Sequence, residues 1–342
     1  MGLTRRQQQI LSAVVDIYIR TGEPVGSKAI SLSAGLSVSA ATIRSEMAAL
    51  YEWGYLEQPH TSAGRVPSHL GYREYIDFLM TCPPLEQEER DEIESLFNVK
   101  NPDPEKLLGD AAEALSEYTG YATVTSSIVP KTVSVRKIEL IAAGANTVVI
   151  LLIASNGAIR NKICRVDFTV TPEIISFFNK FAGHRFAGRS IGSITSSYIG
   201  SVSITLGEYS HMFTTILVNI FELCREVGEG RYYISGGTRL LAYDEAAKTA
   251  RELLLLLESR ERLDALFSPD EKSFKIIIGK ENAGSELSGS SVVMTNYEIA
   301  GEPAGMVGLI GPVRINYPKL IPHLEYFAKM LGELMSETLE SE

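Results

Sequence analysis

Cysteine is scarce in this chain. Cys82, Cys164 and Cys224 are odd in number, widely spaced and include no C-x-x-C, so they form neither a disulfide framework nor a zinc site and suit a reducing cytoplasm. Long apolar runs are missing too: TVVILLIA and LLLLL, the longest, fall far short of the ~18 residues needed to span a bilayer. The opening MGLTRRQQQIL lacks the apolar core of a secretory signal. These absences lead us to expect a cytoplasmic protein with no membrane partner. The five histidines, His60, His69, His184, His211 and His323, share no ligand spacing with cysteine or carboxylates, which argues against a metal site. No phosphate-loop lysine, nucleophile elbow or paired acid and base stands out, so neither a cofactor nor an enzyme activity is expected.

Positive charge is also in short supply. The 342 residues carry a net charge of −10, which taken alone argues against a nucleic-acid binder, because phosphate affinity comes from cations. The deficit is uneven. Residues 1–80 hold seven Lys/Arg and seven Asp/Glu, so the remainder carries the whole −10. The length points to two or three domains.

Residues 4–80 read as three helices followed by a small β-hairpin. Thr4 can cap the first, and Gly22 with Pro24 ends it. A short helix over about 27–33 ends at Gly35, and Ser39 caps a third helix that runs to Trp53. YLEQPHTSAGRVPS, residues 55–68, has the alternation and Ser-Ala-Gly tip of a hairpin. Cys82-Pro83-Pro84 makes a boundary, and an acidic connector helix follows. Beyond it, strand-like runs at 136–143, 147–154 and 159–168 precede a mixed helical region at about 172–263. Strands resume at 273–279, 291–299 and 304–312, and a helix from about Pro318 closes the chain. The expected fold class is therefore multidomain α+β: an α+β domain interrupted by an inserted, mainly helical one.

Three helices and a hairpin make the winged helix-turn-helix plan. On a wheel of ~100° per residue, Ile43, Met47 and Leu50 of the third helix form a buried stripe. Ala41, Ser45 and Ala48 fall opposite, with Thr42 and Arg44 on the flanks. A helix fully enters the ~12 Å major groove of DNA only if its leading face is small, and Arg44 is suited to pair bidentately with guanine. Helix propensity, or packing against another helix, explains such a bare face equally well. The candidate DNA-reading residues are thus Ser39, Ala41, Thr42, Arg44, Ser45 and Ala48. The candidate wing residues are His60, Thr61, Ser62 and Arg65, and the candidate phosphate contacts are Arg5, Arg6 and Lys28. A module of zero net charge binds weakly alone, so useful affinity requires a homodimer on a palindromic site. EYSHMFTTILVNIFELC, residues 208–224, has apolar residues on more than one face, as a helix covered by a partner chain would, though burial within one subunit fits equally.

LTRRQQQILSAVVDIYIRTGEPVGSKAI and GLSVSAATIRSEMAALYEWGYLEQPHTSAGRVPSHLGYREYID, with weaker matches at YYISGGTRLL and GLIGPVRINYPKLIPHLEY, resemble the HrcA family of bacterial heat-inducible transcription repressors. Ala40 stands where members often carry proline. The resemblance implies a winged-helix domain over 1–82, a linker helix over 83–101, a GAF-like domain split between 102–171 and 264–342, and an inserted dimerisation domain over 172–263. It also implies repression of chaperone operons through a double-stranded inverted repeat, bound as a homodimer, with a GroEL-type chaperonin supporting the active state. The alternative is a ligand-gated winged-helix repressor whose GAF-like domain binds a small effector.

Overall fold

The computed structural model describes residues 2–33, 38–61, 63–97, 103–127, 133–242, 250–267, 274–281, 289–299 and 301–340. Its N-terminal part follows the local signals closely. Helix α1 (Arg5–Thr21) starts on a capping box between Thr4 and Gln7 and stops where Gly22 turns left-handed at φ 70. Helices α2 (Ser27–Ser33) and α3 (Ala40–Glu52) follow; the turn expected at Gly35 lies outside the described residues. Strands β1 (Leu56–Glu57) and β2 (Val66–Pro67) pair antiparallel, Leu56 opposite Pro67. Ile10, Leu11, Val14, Ile30, Ile43, Leu50 and Leu56 are all but fully buried; they hold the three helices and the ribbon together, and their core runs on without a break to residues far along the chain, among them Leu107, Val307 and Phe327. Helix α4 (His69–Glu74) passes into a π-turn, where the Tyr75 hydroxyl donates to Asp16 of α1 at 2.6 Å.

The acidic connector is helix α5 (Gln87–Leu96), which buries only Ile93. It lies along the last helix of the chain, α12 (Tyr317–Glu340), with Phe97 and Phe327 ring centroids 4.7 Å apart.

The molecule contains two larger sheets, and their membership differs from the expected division. Helix α6 (Pro104–Thr119) leads into β3 (Ala122–Ser127), and β3 enters a five-stranded antiparallel sheet. Its other strands are β7 (Arg231–Ser235), β8 (Phe274–Ile278), β9 (Ser290–Ile299) and β10 (Glu302–Pro312), in the order β7-β3-β10-β9-β8. Helices α6 and α12 pack on this sheet. Leu253 and Leu257 of α10 (Ala250–Glu258), Leu263 of α11 (Arg260–Leu266) and Phe267 just after it form a second core with Val292, Met294 and Ile310. Strands β4 (Val135–Gly144), β5 (Thr147–Ala154) and β6 (Ile159–Arg165) make a separate three-stranded sheet. Helices α7 (Pro172–Phe186), α8 (Ser196–Thr205) and α9 (Ser210–Gly228) share one core with it, built around Phe178, Phe213, Ile216 and Ile220.

The boundaries expected at 171/172 and 263/264 therefore cut across the packing. The first detaches β4–β6 from the helices they bury. The second groups α10 and α11 with the insertion, although they pack on the large sheet. Residues 133–228 form one packed unit, which leaves the large sheet after β3 and returns at β7. Those two strands pair antiparallel, Ser127 opposite Arg231, so the insertion emerges from and re-enters neighbouring strand ends. The multidomain α+β class stands.

Candidate nucleic-acid interface

Helix α3 begins at Ser39, whose φ −68 and ψ 153 are those of a cap and whose hydroxyl accepts from the Thr42 amide at 3.1 Å. The Ser39 and Thr42 hydroxyls also meet at 2.9 Å, so both are committed to starting the helix. Ile43, Met47 and Leu50 point into the core. Ala41, Arg44, Ser45 and Ala48 are exposed on the opposite side, so the expected small face exists as one surface.

One of the two carboxylates on this helix, Glu46, is tied back. Glu46 accepts from Gln7 Nε2 at 3.0 Å and lies 3.6 Å from Arg6 Nη1. Gln7 is buried while Arg6 is half-exposed, so the two α1 residues draw the carboxylate toward the α1–α3 seam. Its partial neutralisation reduces like-charge repulsion toward an approaching phosphate. The role of Gln7 is invisible locally, because its partner is 39 residues away.

Arg5 and Lys28 are exposed in the first turns of α1 and α2, and both helices pack against α3. At the hairpin tip, His60 and Thr61 are exposed, whereas Ser62 lies outside the described residues. Gln58 organises the loop, its amide donating to the carbonyls of Thr61 at 3.0 Å and Ala63 at 3.2 Å.

Arg65 sits at the base of the hairpin. Its backbone exchanges two hydrogen bonds with Val25, at 2.8 and 2.9 Å, and its guanidinium lies 4.3 Å from the centre of the Tyr51 ring. Gly64 makes this closure possible, since a Cβ there would stand 2.5 Å from the Val25 carbonyl oxygen. Arg65 is thus half-buried on an aromatic face, whereas His60 and Thr61 at the tip are exposed.

Among the described residues, no group of three or more His, Cys, Asp or Glu side chains could hold a metal ion, and no helix is long and apolar enough to cross a membrane. Burial pushes the Cys224 thiol up to about 12, which leaves it a neutral core side chain.

Residues 105–321 match the family model described as the HrcA protein C-terminal domain. A heat-inducible transcription repressor HrcA from Clostridium acetobutylicum is 35% identical over 328 residues, 94% of each chain. The protein of that name from Thermoanaerobacter pseudethanolicus is 32% identical over 349 residues, spanning 100% of both chains. A crystal structure described as a hypothetical protein superposes with a TM-score of 0.66 at 23% identity, covering 98% of this chain and all of its own, and so shares the fold. The named relatives are transcription repressors rather than enzymes. With a family model across most of the C-terminal portion and relatives of this identity along its whole length, the chain belongs to the HrcA family of heat-inducible transcription repressors.

Proposed function

We propose that this protein represses heat-shock chaperone operons by binding an inverted repeat in double-stranded DNA as a homodimer. The observation that carries the reading is the face of α3: Ala41, Arg44, Ser45 and Ala48 are exposed together while Glu46 is held aside by Arg6 and Gln7. In this role α3 enters the major groove, where Arg44 reads guanine and the small residues allow close approach. The capping turn at Ser39 and Thr42 presents the positive end of the helix dipole to phosphate. Arg5, Arg6 and Lys28 add backbone contacts, and His60 and Thr61 at the wing tip approach the adjacent groove.

The homodimer is supported by two features. One module offers few cations, so two are needed for useful affinity. The unit 133–228 exposes large apolar side chains, among them Ile204, Ile163 and Tyr209 at 80%, 73% and 54%, of the kind a partner surface covers. We propose this unit as the dimerising domain. Support from a GroEL-type chaperonin rests on the family resemblance: unfolded protein occupies the chaperonin during heat stress, and repressor deprived of it loses its DNA-competent form.

The deciding experiment is a gel shift on an inverted repeat. Wild type should bind, and Arg44→Ala should weaken binding by ~1–3 kcal/mol, the usual worth of a bidentate guanine contact. Equal binding by the two proteins refutes the assignment of α3. A second reading, gating by a small effector, is supported by a cavity of about 300 Å³ lined by Tyr18, His69, Tyr72, Ile278, Val313 and Arg314. Calorimetric titration with metabolites separates the two readings.

A further inference from the structure

The N-terminal unit is joined to the rest of the molecule by more than its connector. Arg73 of α4 reaches the edge of the five-stranded sheet, where its Nε donates to Glu281 Oε1 at 2.7 Å and its Nη2 to Glu281 Oε2. This is a two-pronged arginine–carboxylate pair across 208 positions of sequence. Arg73 Nη2 also donates to the Ile276 carbonyl of β8 at 3.0 Å, and Nη1 donates to Asp77 at 3.2 Å. Glu281 is held from its own side by the Ile278 amide at 2.9 Å, and His69 Nε2 lies 3.4 Å from it. Nearby, the Tyr72 and Tyr317 rings meet edge-on at 6.2 Å.

The charges are matched to the geometry. Burial alone would raise the Glu281 carboxyl, but hydrogen bonds from Arg73 and the Ile278 amide, with the charges of Arg73 and His69, hold it below the usual carboxylate range. Burial opposes the Arg73 charge as well, yet Glu281 and Asp77 raise the guanidinium above its ordinary value. A planar fork on a carboxylate constrains angle as well as distance, which a lone lysine would not do.

We propose that Arg73 and Glu281 are positioning residues for operator binding: their fork sets the angle at which each winged-helix unit is carried, and hence the separation of the two α3 helices in a dimer. The inference rests on the operator-binding reading above. Two half-sites centred about one DNA turn, ~34 Å, apart are engaged together only if the second reading helix is already aimed when the first has docked. A unit free to swing lowers the effective concentration of that second event and leaves the first unchanged. Neither residue lies on the exposed face of α3, so both act through its placement.

The test uses the full-length protein. Glu281→Gln should lose roughly tenfold in affinity for the inverted repeat, the scale expected when a tethered second site is less well aimed, while binding a single half-site duplex as wild type does. It should also lose selectivity against operators whose spacer is lengthened by half a helical turn. Glu281→Asp, which keeps the carboxylate, should retain more of both than Glu281→Gln does. An equal loss on repeat and half-site, or none on either, overturns the proposal.

A readout without DNA separates its failure from that of the operator reading. Spin labels at Ser45→Cys and Lys329→Cys, in a Cys82→Ser background, should give a narrow distance distribution that Glu281→Gln broadens; an unchanged distribution refutes the clamp. Wild type that ignores the inverted repeat while the labels respond refutes the operator reading alone.

Discussion

Helices α3 and α9 both leave side chains uncovered, and the difference lies in which kind. Helix α3 buries only Ile43, Met47 and Leu50, and the face opposite them exposes alanine, serine and arginine. Helix α9 buries seven residues from Phe213 to Val227 and still exposes Val218, within a unit that also exposes Ile163 and Ile204. A small polar face suits a charged, hydrated groove, and a large apolar one suits another apolar surface. The same chain thus carries two unfinished surfaces, with opposite chemistry, in separately packed units. Splitting the two surfaces between units leaves each free to follow its own packing rules.

That separation can be broken experimentally. The largest effect is expected for Phe213→Ala, since Phe213 is fully buried and its ring centroid lies 4.8 Å from that of Phe178. It should cost ~3–5 kcal/mol by chemical denaturation of the inserted unit. Hydrogen exchange in α1 and α3 should stay as in wild type; loss of protection there would show that the units fold as one. Arg44→Ala supplies the converse, with an operator loss of ~1–3 kcal/mol and a stability change within about 0.5 kcal/mol by thermal melting, as for most surface substitutions. Ser39→Ala should destabilise the N-terminal unit by ~1 kcal/mol through loss of its cap.

Acid should sharpen the picture at the joint between N-terminal unit and sheet. The folded Glu281 carboxyl lies below its ordinary range, so its contribution is complete above the unfolded value of ~4.3 and disappears as the pH falls through the lower folded value. Exchange of the Ile278 amide, which donates to Glu281, should accelerate below about pH 4 relative to amides at the centre of β9. Arg73 keeps its charge throughout, so the loss belongs to the carboxylate. The smallest effect is expected for Arg65→Ala. Stacked on Tyr51, Arg65 should contribute ~0.5–1 kcal/mol to stability. Its removal should leave the salt dependence of operator binding unchanged, whereas a phosphate contact would reduce the slope by about one.

Local signals were legible wherever a residue's job is done by its sequence neighbours. Ser39 and Gly54 bracket α3 almost at the expected ends. Asn156-Gly157 marks the β5–β6 turn, with Gly157 at φ 77. The strands expected at 147–154, 291–299 and 304–312 differ from those observed by at most two residues. Strands β3 and β7 were missed. All but the last residue of β3, ATVTSS, are buried, so it shows none of the alternation that reveals a strand with one wet face; RYYIS of β7 is only five residues long. Without that pair, nothing local separates β4–β6 from the strands of the large sheet.

By itself, then, the sequence determined most of the helical and strand segments, the N-terminal order of three helices and a hairpin, and the bare face of α3, because caps, turns and periodicity act over three or four residues. Only the tertiary structure decided that β4–β6 stand apart from the large sheet. It alone placed Glu46 against Gln7, laid Arg65 on Tyr51 and joined Arg73 to Glu281. Those choices are made by shape and charge between residues distant in the chain, where a periodic pattern shows that a face must be covered and carries nothing about which surface covers it.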